Sequence, residues 1–196
     1  LNLQDLWGDV GQATLQPVKF LGTNVGAAGV EGLSTDLAGK PKPKLRGTAM
    51  NFSPPCVNTS TLIYQVDDGS AKGPVTIASV KDKMVAITAG SARASLALLQ
   101  STSPAAGTYD WYDGVDGRYI RLGTSPQGTV TVTASEGALA DRTPAQIVYR
   151  LLTHEGGIAA GKVSGVAALD AAASVECGIW IGDETTLQKV VDAILD

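Results

Sequence analysis

The stretch "GTYDWYDGVDGRYIRLG", residues 107–123, decides the fold that the sequence predicts. Two runs rich in aromatic and β-branched residues flank "DGVDG", and Asp-Gly between two such runs is typical of a hairpin turn. A third run, "TVTVTAS" at 129–135, alternates threonines with Val130 and Val132, as in a strand with one wet face. Together the three runs predict a three-stranded antiparallel meander.

The same period of two continues towards the N terminus, with Gly, Pro, Asp and Ser between the runs. Further strands are predicted at 60–66, 75–80 and 84–88, the last two forming a hairpin closed by "KDK". One helix is predicted at 91–100, with Leu96 and Leu99 on one face. The glycines of "GTNVGAAG", Gly22 to Gly29, favour a flexible surface loop. Residues 1–138 are therefore interpreted as a mainly antiparallel β domain.

After about Gly137 the pattern acquires a helical period. Thr143, Pro144 and Gln146 are typical of a helix start, with Gln146 at the capping-box position. The apolar stripe of this helix is Ile147, Val148, Leu151 and Leu152. A second helix, a buried strand within "ECGIWIG" and a third helix follow, the last capped by Asp183 or Thr185. Residues 139–196 are interpreted as a small α/β portion that begins a second domain, so the predicted fold class is α+β.

The composition excludes several classes of protein. Hydrophobic residues make up 44% and charged residues 17%, which is typical of a globular chain. The net charge of −4 argues against general nucleic-acid binding, and no apolar run is long enough for a transmembrane helix. No signal-peptide pattern opens the sequence, and both ends are expected to be cuts in a longer protein. Two cysteines, Cys56 and Cys177, are expected to be reduced, buried thiols.

Two features suggest nucleotide binding or catalysis, but neither is accompanied by the residues that its chemistry requires. "GGIAAGKVSG", residues 156–165, has the spacing of a phosphate-binding loop, but a helical pattern precedes it and Val163 stands where Ser or Thr is needed. Its first glycines instead predict a helix end followed by a connection. A hydrolase centred on His154 would need a cleft that holds this ring with Glu155 or a serine. We expect no enzyme activity, no catalytic residues, no cofactor and no metal.

A row of cations is the first candidate for a partner contact. "GKPKPKLRG" places its basic residues at alternate positions, so an extended backbone directs them to one side. These residues are Lys40, Lys42, Lys44 and Arg46. Two interpretations stay open: a solvated edge strand blunted by Lys and Pro, or a surface that contacts an acidic partner.

The window "YDWYDGVDGRY", Tyr109 to Tyr119, is the second candidate site. Its carboxylates are spaced i, i+3 and i+6, unlike the spacing of an EF-hand loop. The rings can pack across the strands of a hairpin, or they can form the platform of a carbohydrate-binding adhesin module. In the second case the sugar would contact Tyr109, Asp110, Trp111, Tyr112, Asp113 and Asp116. Rings lying flat and exposed on one face would favour this alternative.

Three stretches, taken in order, resemble tailed-bacteriophage and prophage tail proteins. The first, "GKPKPKLRGTAMNFSPPCVNTSTLIYQVDDG", is similar to a "GKPKP…G" loop that precedes an "LIYQV.DG" strand. The second, "AAGTYDWYDGVDGRYIRLGTSPQGTVTV", is similar to an "RLG.SP.G.VT" strand pair. The third, "TPAQIVYRLLTHEGG…GIWIGDETTLQKVVDAIL", resembles the helix, strand and helix that follow there. The resemblance covers residues 18–196, nearly the whole chain.

The resemblance implies a structural component of a siphovirus-like tail tip or baseplate hub. Its partners would be other tail proteins, and the longer protein would form a homo-oligomeric ring, whereas the present piece alone can be monomeric. The implied location is the virion tail, after assembly in the bacterial cytoplasm, with no nucleic-acid contact and no membrane insertion. The family provides no catalytic residues to transfer, and the unusually basic "KPKPKLR" departs from its pattern.

Overall fold

The computed structural model describes residues 15, 18–25 and 28–195. The fold class is α+β, as predicted: a curled nine-stranded sheet, a separate two-stranded sheet and short helices. The small sheet contains β1 (Thr23–Val25) and β2 (Ala28–Leu33). The strands of the large sheet are β3 (Lys44–Phe52), β4 (Cys56–Asn58), β5 (Ile63–Asp67), β6 (Val75–Asp82), β7 (Val85–Ala92), β8 (Thr108–Gly114), β9 (Gly117–Leu122), β10 (Val130–Glu136) and β11 (Gly178–Ile181).

The helices are short and most lie after β10. Their bounds are α1 (Leu96–Ser101), α2 (Pro144–Arg150), α3 (Val166–Ala172) and α4 (Leu187–Leu195). A π-helical turn, Leu151–Glu155, continues α2, and 3₁₀ turns lie at Leu139–Asp141 and Ala160–Lys162. Within the described residues, no helix is long and apolar enough to cross a membrane.

The predicted meander is wrong, although its hairpin is confirmed. The strand order is β11-β3-β10-β6-β7-β8-β9-β5-β4. β8 and β9 pair from Tyr109↔Leu122 to Gly114↔Gly117, but β9 then pairs with β5, while β10 inserts between β3 and β6. The alternation in β10 is as expected, with Val130 and Val132 buried. Alternation determines which face a strand buries but not which strand lies beside it.

The predicted hairpin of β6 and β7 is confirmed and has an unusual turn. Asp82 pairs with Val85, so the loop consists of Lys83 and Met84 alone. Both residues have positive φ, 47° and 69°, as a type I′ turn requires. After Ile87, β7 leaves β6 and pairs in parallel with β8. β7 is therefore the strand at which the large sheet turns.

The sheet curls until β3 and β5 meet. Asp67 Oδ2 at the end of β5 accepts a hydrogen bond of 2.9 Å from Leu45 N, and Asp68 N donates to Pro43 O at 2.8 Å. The main core lies inside the curl and includes Leu45, Val66, Val80, Ile120 and Val132. A second core joins α2, α4 and β11, and includes Ile147, Leu151, Ile181, Leu187 and Val191.

The helices after β10 confirm most of the predicted boundaries. Thr143 caps α2 by accepting from Gln146 N at 3.3 Å, and the predicted stripe from Ile147 to Leu152 is buried. The Gln146 amide donates to Asp170 instead of completing a capping box. Neither predicted residue caps α4: the helix begins at Leu187, and Lys189 N donates to Thr186 Oγ1 at 3.4 Å.

β11 belongs to the large sheet although it follows the predicted domain boundary. It pairs with β3 from Gly178↔Gly47 to Ile181↔Lys44. The backbones of the two segments approach closely here, since a Cβ at Gly47 would lie 2.2 Å from Cys177 O. The described residues before and after position 138 therefore contribute strands to one sheet, and the division into two domains stays a prediction.

Two predictions for the N-terminal half need correction. The segment from Gly22 to Gly29 is a flexible loop in the sequence interpretation, but all of its described residues except Gly22 belong to the paired strands β1 and β2. Asn24 Nδ2 anchors this hairpin to Val57 O at 2.5 Å, so side-chain bonding offsets the freedom of the glycines. Helix α1 begins only after Ser95, which caps it, and Leu96 and Leu99 share its inner face as expected.

Candidate functional site

The structure separates the four cations that the sequence places in one row. Lys40 is exposed and Lys42 Nζ lies 2.5 Å from Glu31 Oε1, whereas Lys44 and Arg46 are buried in β3. The prediction of a single basic face is therefore wrong. Its physical reason is that carboxylates from other elements surround the start of β3 and compensate two of the charges.

These buried cations join three parts of the chain. Lys44 Nζ lies 3.0 Å from Asp68 Oδ2 and 3.3 Å from Glu155 Oε1. Arg46 Nη2 donates to the same Glu155 oxygen at 2.8 Å and to Ser70 Oγ at 2.9 Å. The pairs connect β3 with the turn after β5 and with the π-helical turn after α2.

Glu136 forms a second buried connection at the end of β10. Its carboxylate accepts from Gly47 N at 2.8 Å and from Lys72 N at 2.6 Å, and pairs with Arg150 Nη2 at 2.7 Å. Beside this connection, Lys72 Nζ pairs with Asp141, and this bond lowers the pKa of the Asp141 carboxyl. This network ties the sheet to α2, as the first ties it to the π-helical turn after α2.

His154 opens onto a cleft of about 410 Å³ beside these networks. Glu155 and Ser70 also line it, which meets part of the requirement for a hydrolase centred on His154. Glu155 is engaged by Lys44 and Arg46, however, and the Ser70 hydroxyl donates to Asp68. Among the described residues, no group of three or more His, Cys, Asp or Glu is arranged to hold a metal ion.

The aromatic rings of the second candidate site are divided between two faces of β8. Tyr109 and Trp111 face the main core, with ring centroids 6.0 Å apart and planes inclined by 49°. Tyr112 packs on the opposite side, against the cluster that contains Leu99 and Tyr119. The rings therefore form no flat exposed platform, which removes the geometric support for the sugar-binding alternative.

The carboxylates of this window have partners within the protein. Asp110 pairs with Arg93 and accepts from Ser91 N at 2.7 Å. Asp113 pairs with Arg118 Nε at 2.6 Å. Val75 N also donates to Asp113 at 2.9 Å, and the Tyr112 hydroxyl donates to Asp116 at 2.7 Å. The bond to Asp116 raises the pKa of Tyr112, since the carboxylate favours the protonated phenol.

The most distinctive surface is one that the sequence interpretation missed. β7 is an inner strand of the sheet, yet every residue in it except the half-buried Ile87 is exposed. Met84 in the turn is 68% exposed and Val85 is 70% exposed. The only signal in the sequence is the run "AITAGSA", whose small side chains leave both faces of the strand thinly covered.

A groove of about 650 Å³ lies beside the β6–β7 turn. Val85, Ile87 and the buried Leu122 give it an apolar floor. Its outer wall is the 124–128 loop, which Asp82 holds by accepting from Gln127 N at 2.7 Å and Gly128 N at 2.9 Å. We call this groove together with the residues 82–85 the tip surface.

Comparison with known proteins gives no relative: no family model, no curated protein and no solved structure matches the chain. The charged and aromatic residues singled out in the sequence are mostly engaged within the fold. Among the described residues, the tip surface combines exposed apolar side chains, Met84 and Val85, with an apolar groove.

Proposed function

We propose that the chain is a structural, non-enzymatic component of a bacteriophage or prophage tail tip or baseplate hub, where it mediates subunit assembly. The observation that carries the assembly role is the uncovered strand β7, with Met84 and Val85 exposed beside an apolar groove. Contiguous apolar surface of this kind marks interaction sites. A subunit of a larger assembly would bury it against a neighbour.

The tail assignment is supported by the order of the three sequence stretches that resemble tail proteins. The partners in this proposal are other tail proteins, with a homo-oligomeric ring in the longer protein. The location is the virion tail after assembly in the bacterial cytoplasm. Two buried ion networks support a structural role, because they join the sheet to α2 and to the π-helical turn after it.

The test combines gene order with electron microscopy. Genes for tape-measure, tube and tail-assembly proteins are expected to flank the gene of the full-length protein. Gold-labelled antibody raised against this chain should then mark the distal end of tails in particles released from the host. Flanking genes for secretion or sugar metabolism, or label confined to cell envelopes, would contradict the proposal.

A further inference from the structure

We propose that the tip surface binds a second copy of this chain, tip against tip about a two-fold axis. The proposal concerns the chain alone and does not depend on a location in a phage tail. It follows from three properties of the turn and groove: the backbone conformation, the apolar exposure and the charges.

The first property is that the turn keeps side chains where glycine would fit better. Lys83 and Met84 both have positive φ, a conformation that L-residues adopt at a cost in stability. Asn-Gly is the favoured pair for such a two-residue turn. Non-glycine residues in this conformation occur preferentially at functional sites, so the two side chains are candidates for contact with another molecule.

The second property is that the tip surface contains both halves of an apolar contact. The exposed Met84 lies beside a groove whose floor includes Val85, Ile87 and Leu122. A two-fold axis next to the turn brings the Met84 side chain of each copy to the groove of the other. Contacts of this kind are isologous, because one surface serves both partners, and they are the commonest in homodimers.

The third property is charge complementarity within the same surface. Asp82 carries a negative charge whose bonds go to two backbone N–H groups, and the neighbouring Lys83 is exposed. None of the ion pairs between described residues involves either side chain. The two-fold arrangement sets each Lys83 opposite the Asp82 of the other copy. Opposite charges placed this way fix the register of an interface.

The first experiment is sedimentation velocity of the purified chain from about 10 µM to about 1 mM, a range that suits a small interface. We expect a monomer–dimer equilibrium that weakens at high salt, because the Lys83–Asp82 pairs are screened. The double variant K83N/M84G should fold, since Asn-Gly suits the turn, and should raise the dimer dissociation constant at least about tenfold. The matched control is V115N, at the 92% exposed Val115 of the β8–β9 turn, which should dimerise like the original chain.

The second experiment locates the contact. An equal mixture of M84C and S125C is expected to form a disulfide-linked dimer under mild oxidation, because the Met84 side chain of one copy reaches the groove that Ser125 lines in the other. V115C and the unchanged chain, whose Cys56 and Cys177 are half-buried, are expected to stay uncrosslinked.

Three results would overturn the proposal. One is a chain that stays monomeric throughout the concentration range. Another is a dimer that persists in K83N/M84G or that crosslinks equally through V115C. The third is a monomer that takes up an apolar dye in the groove, which would show a different occupant. None of these results bears on gene order or tail labelling, so the two proposals fail separately.

Discussion

Arg46 illustrates how one residue can be misplaced by a correct local pattern. The alternation of basic residues predicts that Arg46 lies on the exposed side of an extended segment. β3 is extended, but only 4% of Arg46 is exposed. Its guanidinium donates to Leu45 O at 2.8 Å, to Ser70 and to Glu155. Glu155 is 109 positions away in the sequence, so no local pattern could show that this charge would be paired and buried.

The burial of Arg46 predicts a large difference between two members of the same basic run. R46M should lower the free energy of unfolding by about 3–5 kcal/mol, because it leaves Glu155 and Asp67 near the core with less compensation. K40M changes an exposed side chain and should stay within about 0.5 kcal/mol. Urea unfolding followed by circular dichroism measures both. Equal effects would mean that the basic run acts as one solvated face.

Cys177 offers a prediction about reactivity. It is free and half-buried, and burial raises the pKa of its thiol, with the adjacent Glu176 raising it further. Since the thiolate is the reactive form, E176Q should lower this pKa and speed the reaction with Ellman's reagent at pH 8 by about twofold or more. A C56S background isolates the signal of Cys177. An unchanged rate would show that Glu176 exerts no influence on the thiol.

At the scale of elements, the sequence predicts what is local. The β6–β7 and β8–β9 hairpins, the start of α2 at Thr143 and the end of the following turn at Gly156 depend on residues within a few positions. The strands that pair with β10 are not determined by residues nearby in the sequence. Its pairing Ala134↔Ala49 joins strands 85 positions apart, and the alternation of Val and Thr is equally compatible with several neighbours.

The tip surface was missed for a related reason. Small residues such as those of β7 occur both where strands pack closely and where a strand lies exposed. Which of the two applies depends on whether β6 stays beside β7, and the ladder between them ends at Val80↔Ile87. The hairpin was predictable, but its loop was not: "KDK" covers residues 81–83, whereas the loop is Lys83 and Met84, whose positive φ angles these residue types seldom adopt.

The β6–β7 turn predicts a stabilising substitution. K83N/M84G relieves the backbone strain of two residues with positive φ. It should raise the free energy of unfolding by about 1–2 kcal/mol, measured at a concentration where the chain is monomeric. M84A is the matched control, because it shortens the side chain without relieving the backbone, and it should give no such gain. A lower stability of K83N/M84G would show that the Lys83 and Met84 side chains stabilise the monomer itself.

At the scale of the whole molecule, the two predicted portions share more than a sheet edge. The Trp180 ring of β11 stacks on Phe52 with centroids 5.0 Å apart, and its indole N–H donates to Val66 O at 2.9 Å. The pairs Arg46–Glu155 and Glu136–Arg150 cross the predicted boundary between residues 138 and 139. Each pair has one charge on either side of this boundary, so separating the portions would break both pairs.

This sharing predicts that residues 1–138 do not fold independently. Without α2 and the residues after it, Glu136 loses Arg150 and Arg46 keeps only the 3.8 Å contact with Asp67, so both charges are largely orphaned at a cost of about 3–5 kcal/mol each. Their sum is comparable to the whole stability of a typical domain, about 5–15 kcal/mol. The amide NMR spectrum of this fragment should therefore lack the dispersion of the full chain. A fragment with R46M and E136Q tests the cause: dispersion in this variant but not in the unchanged fragment would identify the orphaned charges, and dispersion in both would establish residues 1–138 as a separate domain.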